Sequence, residues 1–112
     1  MPQKLLFTAI ASGSTVSSDV DLAFGTRIWA IAVPTITSAD LLVQGGFDTT
    51  SANFARMLDT RGQGSGDLRF ATGPGSRMIL WPQDVPCLPK MRLETGVAQA
   101  ISNVATFTLL VR

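Results

Sequence analysis

The chain has 112 residues, 46% of them hydrophobic and only 15% charged, against the roughly 25% charge of an average soluble domain. Nine Lys and Arg against eight Asp and Glu leave a net charge of +1, and there is no His, no Tyr and one Cys. Such a chain holds one domain, carries no general field for nucleic acid or an anionic membrane, and lacks the residues of most acid-base, disulfide and thiolate-metal chemistry.

Residues 1–26 read as an N-terminal arm or as edge strands of a single domain spanning 1–112. Within them, Lys4 to Ile10 and Val16 to Leu22 fit strands, with a turn at Ser12-Gly13-Ser14. The apolar stretch Leu5 to Ala11 is short and interrupted by Thr8, so no secretory leader is expected and the chain reads as made in the cytosol. Phe24-Gly25-Thr26 turns into Arg27 to Val33, whose apolar run from Ile28 is far shorter than the roughly 20 residues that cross a bilayer.

Leu41 to Phe47, Phe54 to Leu58, Leu68 to Ala71, Arg77 to Trp81 and Lys90 to Glu94 follow as strands. Asp48-Thr49-Thr50, Gly62 to Asp67 and Gly73-Pro74-Gly75-Ser76 separate several of them as turns. Thr95 to Val104 admits either a short helix packed through Ala98, Ala100 and Ile101 or a loop around Ser102-Asn103. Ala105 to Arg112 closes the chain with strict alternation, Phe107, Leu109 and Val111 on one face and Thr106, Thr108 and Leu110 on the other. The inward set is expected to pack with Leu41, Val43 and Leu93. Eight or nine short strands at this spacing predict an all-β sandwich or small barrel.

Two strands are apolar on both faces. In Arg27 to Val33, alternation sets Trp29, Ile31 and Val33 against Ile28, Ala30 and Ala32; in Arg77 to Trp81 it sets Met78 and Leu80 against Ile79 and Trp81. A two-layer sandwich buries one face per strand, so the second face needs a cover, either intramolecular or another subunit. The low charge favours a subunit, because interface cores are depleted in charge and enriched in Met and aromatic residues. Ile28, Trp29, Ala30, Met78, Leu80 and Trp81 are therefore the expected assembly interface, in a homo-oligomer such as a trimer around a symmetry axis.

No catalytic residue, cofactor or metal site is expected. Asp19 and Asp21 share a strand face and would suit a cation, but also an ordinary solvated face. Asp48 and Glu94 are a formal glycosidase pair without an aromatic subsite beside them. A Ser nucleophile would need Lys4 or Lys90 as base, with no supporting motif. Gly62-Gln63-Gly64-Ser65-Gly66 lacks the P-loop lysine and leads into a strand. Arg56, Arg61, Arg69 and Arg77 are interleaved with Asp59 and Asp67, which reads as a mixed-sign surface, and Cys87 reads as a small apolar residue.

One longer pattern carries a resemblance. Ala39-Asp40-Leu41-Leu42-Val43-Gln44-Gly45-Gly46-Phe47-Asp48-Thr49-Thr50-Ser51-Ala52-Asn53-Phe54 is followed by Lys90-Met91-Arg92-Leu93-Glu94-Thr95-Gly96 and by Phe107-Thr108-Leu109-Leu110-Val111-Arg112. In this order they resemble small jelly-roll structural proteins of tailed-bacteriophage virions, with Thr49 where a Gly usually follows the turn Asp. The resemblance covers about Ile28 to Arg112 and transfers no catalytic residue. It implies a jelly-roll-like antiparallel β-sandwich of about eight strands. It also implies a virion structural role made in the host cytoplasm, above all as a capsid decoration (cement) protein. The implied partners are copies of itself and the major capsid protein or other virion proteins, with no membrane and no specific nucleic acid. A phage neck or tail component and a carbohydrate-binding β-sandwich using Trp29 or Trp81 as a stacking platform are the alternatives.

Overall fold

A computed structural model of the chain describes residues 3–22, 26–36, 40–47, 53–59, 66–71, 76–85, 87–99 and 104–112. These residues form strands and connecting segments with no helix among them. The strands are β1 (Lys4–Ile10), β2 (Val20–Asp21), β3 (Ile28–Val33), β4 (Asp40–Gly46), β5 (Ala55–Arg56), β6 (Leu58–Asp59), β7 (Gly66–Asp67), β8 (Arg69–Ala71), β9 (Arg77–Leu80), β10 (Lys90–Thr95) and β11 (Ala105–Val111).

All pairings are antiparallel. One sheet runs β1-β11-β3-β9 and the other β2-β10-β4-β5, with β8 also on β4 and a separate β6-β7 ribbon. Strands from the two halves of the chain pair from the outside inward: β1 with β11, β2 with β10, β3 with β9, and β4 with β5 and β8. A long hairpin wound around a barrel axis produces this order, which is that of a jelly roll. The N-terminal segment supplies the edge strands β1 and β2.

Between the sheets lies one apolar core. Ile10, Ile28, Ile31, Val33, Ile79, Phe107, Leu109 and Val111 line it from the first sheet; Val20, Leu41, Val43, Met91 and Leu93 line it from the second. The period-2 pattern of β11 thus faces as its alternation predicts, and Leu41, Val43 and Leu93 close the same core. At Gly45 an added Cβ would run into the Leu88 side chain, so glycine lets Leu88 seat against β4. The Ser12-Gly13-Ser14 turn is present, closed by the Ser14 amide donating to the Ala11 carbonyl at 3.0 Å with Gly13 at φ 77°.

Several elements differ from the alternation-based expectation, each for a local reason. Val16 to Leu22 follows the β10 edge only in part. Ser17 donates its amide to the Leu93 carbonyl and accepts the Leu93 amide on Oγ, a side chain replacing a backbone acceptor. Ser18 then turns to β1, giving its amide to Ala9 and accepting from Thr8 Oγ1 at 2.7 Å. Phe54 to Leu58 divides at Met57, whose amide donates to Val43 while its carbonyl accepts from Leu68, so the chain passes from β4 to the β6-β7 ribbon there. The helical option over Thr95 to Val104 is not taken up in its described part. Thr95 belongs to β10, and buried Gln99 bonds through its backbone to Gly13 and Ser14 and through Nε2 to Thr95 Oγ1. The Asp48 turn, the Gly62-to-Ser65 loop and residues 100–103 lie outside the described residues.

Candidate functional site

The pleat of the first sheet gives it an outer face that can be read from the register. Leu5 faces Leu110, Leu110 faces Ala30, and Ala30 faces Leu80, so one row crosses all four strands. Phe7, Thr108, Ala32 and Met78 make the next row, and Ala9 and Thr106 begin a third. No residue of these rows is charged. The large members stay in solvent in a single chain: Leu5 is 55% exposed, Phe7 65%, Met78 66% and Leu80 79%.

The face is a trough. Its walls are Leu5 and Phe7 on β1 and Met78 and Leu80 on β9, both edge strands, while the floor on β3 and β11 is made of the smaller Ala30, Ala32 and Thr108 beside Leu110. A hollow of about 200 Å³ opens between Leu5, Ala30, Ala32, Met78, Thr108 and Leu110. A second hollow of about 430 Å³ adjoins it and extends past Ala32 and Met78 to Pro34, Ser76, Thr106 and the charged Arg77.

A β-bulge decides which β3 residues reach this face. Leu110 pairs with Ala30 but Val111 pairs with Ile28, leaving Trp29 as the extra residue. The bulge shifts the parity, so Ile28, Ile31 and Val33 all face the core while Ala30 and Ala32 face outward. Simple alternation groups Ile28 with Ala30; this is the one point where it fails along β3. Ile28 is fully buried and therefore forms part of the core and not of the expected interface.

Trp81 is corrected in the same way. It lies on the Ile79 side of β9, is buried, donates Nε1–H to the Val85 carbonyl at 3.0 Å, and packs on Phe70 with ring centroids 5.9 Å apart. Its place inside removes it both as an interface residue and as a stacking platform. Trp29 is 37% exposed, with the Arg27 guanidinium carbon 5.5 Å from its ring centroid. Of the six residues expected at an interface, Trp29, Ala30, Met78 and Leu80 are on the outside. Leu5 and Phe7 are the members that strand alternation within β3 and β9 misses. Their own alternation on β1 signals them once β1 is known to share the sheet.

The outer face of the second sheet is the opposite in character. Lys90 pairs with Asp21, Arg92 with Asp19 at 2.6 Å, and Arg69 with Asp40 at 3.0 Å. Arg56 bridges Glu94 at 2.5 Å and Asp67 at 3.3 Å. Glu94 also accepts from Gln44 Nε2 at 2.8 Å, and Arg92 lies over the Phe54 ring at 3.8 Å. The bond from Arg56, aided by Gln44, holds the buried Glu94 carboxyl below the ordinary carboxylate range against the opposing effect of burial; Arg56 is correspondingly raised.

These pairings engage Asp19, Asp21, Glu94 and Lys90 among the residues considered as chemistry. Asp19 and Asp21 are each bound to a cation of β10, and Glu94 is neutralised by Arg56, while its formal partner Asp48 lies outside the described residues. Cys87 is half-buried, accepts the Ile28 amide on Sγ at 3.3 Å, and has its thiol pKa raised chiefly by burial, the condition of an inert thiol. Comparison with protein-family models, curated proteins and solved structures finds no match for this chain.

Proposed function

We propose that the protein is a structural subunit of a virion, a capsid decoration (cement) protein that stabilises the head through many repeated contacts. The observation that carries this reading is the contrast between the two outer faces. One is closed by ion pairs, and the other presents two rows of uncharged side chains across four strands. Exposed apolar area on this scale marks a protein contact surface. Its burial is worth about 25 cal/mol per Å² before the costs of association are subtracted, and repetition over a shell multiplies contacts that are individually weak. The jelly-roll strand order and the resemblance of the Asp40-to-Phe54 and Lys90-to-Gly96 segments to tailed-phage structural proteins support the same reading.

A decoration protein must be present in numbers comparable to the major shell subunit, so quantitative mass spectrometry of purified virions tests the proposal. Particles lacking the protein should assemble but release their genome at lower temperature, and purified protein added back should restore resistance. A dozen copies or fewer, with infectivity lost and the shell unweakened, would assign it to the neck or tail. Absence from the particle would refute both. A carbohydrate-binding role now rests on Trp29, and glycan titration of its fluorescence would reveal it.

A further inference from the structure

We infer that the outer face of the first sheet is covered by a second copy of this chain, docked about a two-fold axis so that Leu5 and Phe7 of each copy enter the trough of the other. The inference rests on the reading above only in treating this face as a protein contact.

Three observations select a second copy as the occupant. The first is area. At side-chain areas of roughly 200 Å² and the exposures given above, Leu5, Phe7, Met78 and Leu80 alone offer about 500 Å². The partly exposed floor and Trp29 add to this, which brings the patch to the smaller end of specific interfaces, below the roughly 800 Å² per partner of the standard size. The second is charge: the two rows themselves carry none, the nearest cations being Arg77 at the second hollow and Arg27 against Trp29 at the margin, whereas the ion-paired face would have to give up solvated pairs to form such a contact.

The third is shape. The β1 wall and the small-residue floor lie side by side on one sheet, with the 200 Å³ hollow between them. A two-fold axis offset toward β1 sets each wall over the other copy's floor, and both are satisfied in one self-complementary contact. A face-on overlay without that offset would set wall against wall and leave the floor empty. A three-fold ring would instead need two different patches on every subunit, and the uncharged rows form a single continuous patch. The symmetry this favours is therefore two-fold, in place of the trimer suggested by composition.

Sedimentation equilibrium of the full chain from nanomolar to high micromolar concentration tests the inference. The wild type should dimerise. Phe7→Ala, which removes the wall, and Ala32→Leu, which fills the floor, should each raise the dimer dissociation constant about 30-fold, the scale of an interface hot spot. The double variant should recover part of that loss, because the added side chain occupies the space the ring vacates. Leu80→Lys should weaken the dimer similarly, and Arg69→Ala on the opposite face should leave it unchanged. All these positions face solvent in the single chain, and circular dichroism melts of the monomeric variants verify folding.

A wild-type monomer at high micromolar concentration, or an oligomer indifferent to Phe7, Ala32 and Leu80, would overturn the inference. Binding of the same variants to stripped particles separates it from the functional reading. A monomer that loses particle binding through Leu80→Lys would give the face to the shell. A dimer with the expected mutational pattern that is absent from virions would retain the inference and refute the function.

Discussion

Leu109 and Leu110 are neighbours on β11 that point to opposite sides of the same sheet, and substituting each by alanine separates the core from the contact face. Leu109 is 1% exposed and stands between Leu6 of β1 and Ile31 of β3, with neighbours on both sides that restrain collapse. Removing three carbons forfeits roughly 2.4 kcal/mol at about 0.8 kcal/mol per methylene. A persisting void of roughly 40 Å³ adds about 1 kcal/mol at about 24 cal/mol per Å³. Leu109→Ala should therefore cost about 3–3.5 kcal/mol in urea unfolding. Leu110 opens onto the trough, so Leu110→Ala should cost the monomer only about 0.5–1 kcal/mol. The comparison is made at a protein concentration low enough to exclude association, since dimerisation stabilises the folded state by mass action. Equal losses, or a larger loss at Leu110, would refute the assignment of inner and outer faces.

Glu94→Gln should destabilise by about 1–2 kcal/mol at neutral pH through loss of the charged bonds from Arg56 and Gln44. Because the folded carboxyl is shifted below its unfolded value of about 4.3, this contribution is complete above that pH and is lost as pH falls through the lower folded value. Urea titrations of both proteins should therefore differ at pH 7 and converge in acid; a gap independent of pH would refute the ion-pair account. Gly45→Ala should cost about 1–3 kcal/mol by thermal unfolding, since the new methyl displaces Leu88 and would lie 3.3 Å from Met57 Cγ. Acrylamide should quench the fluorescence of Trp29 and spare that of Trp81, so Trp29→Phe should remove most of the accessible emission.

Where one face of a strand is wholly apolar and the other mixed, the sequence alone places its residues correctly. Phe107, Leu109 and Val111 are such a case; along Arg77 to Trp81 both faces are apolar, so alternation separates Ile79 and Trp81 from Met78 and Leu80 without saying which pair is buried. Alternation cannot locate an inserted residue, because Ile28, Trp29 and Ala30 are all compatible with either side; only the pairing with Leu110 and Val111 shows the bulge. Nor can it say which strands share a sheet. The uncharged rows emerge only when β1 and β11 are set beside β3 and β9, and the ion pairs only when residues far apart, such as Arg56 and Glu94, meet on the second sheet. Serine side chains replacing ladder groups, as at Ser17, likewise shorten a strand that periodicity extends.

The seven-residue ladder joining β1 to β11 has a consequence for how the molecule is made. β1 leaves a ribosome well before its partner β11, and their pairing waits roughly 5–20 s at ordinary elongation rates of about 5–20 residues per second. Throughout that time Leu5, Leu6 and Phe7 sit on an unpaired strand, and such long-range closure is slow even once the whole chain is free. Ribosome-bound intermediates should thus be the aggregation-sensitive form of this protein, and a circular permutant that joins residues 3 and 112 by a short linker, making β1 and β11 successive, should fold faster without altering the finished sandwich.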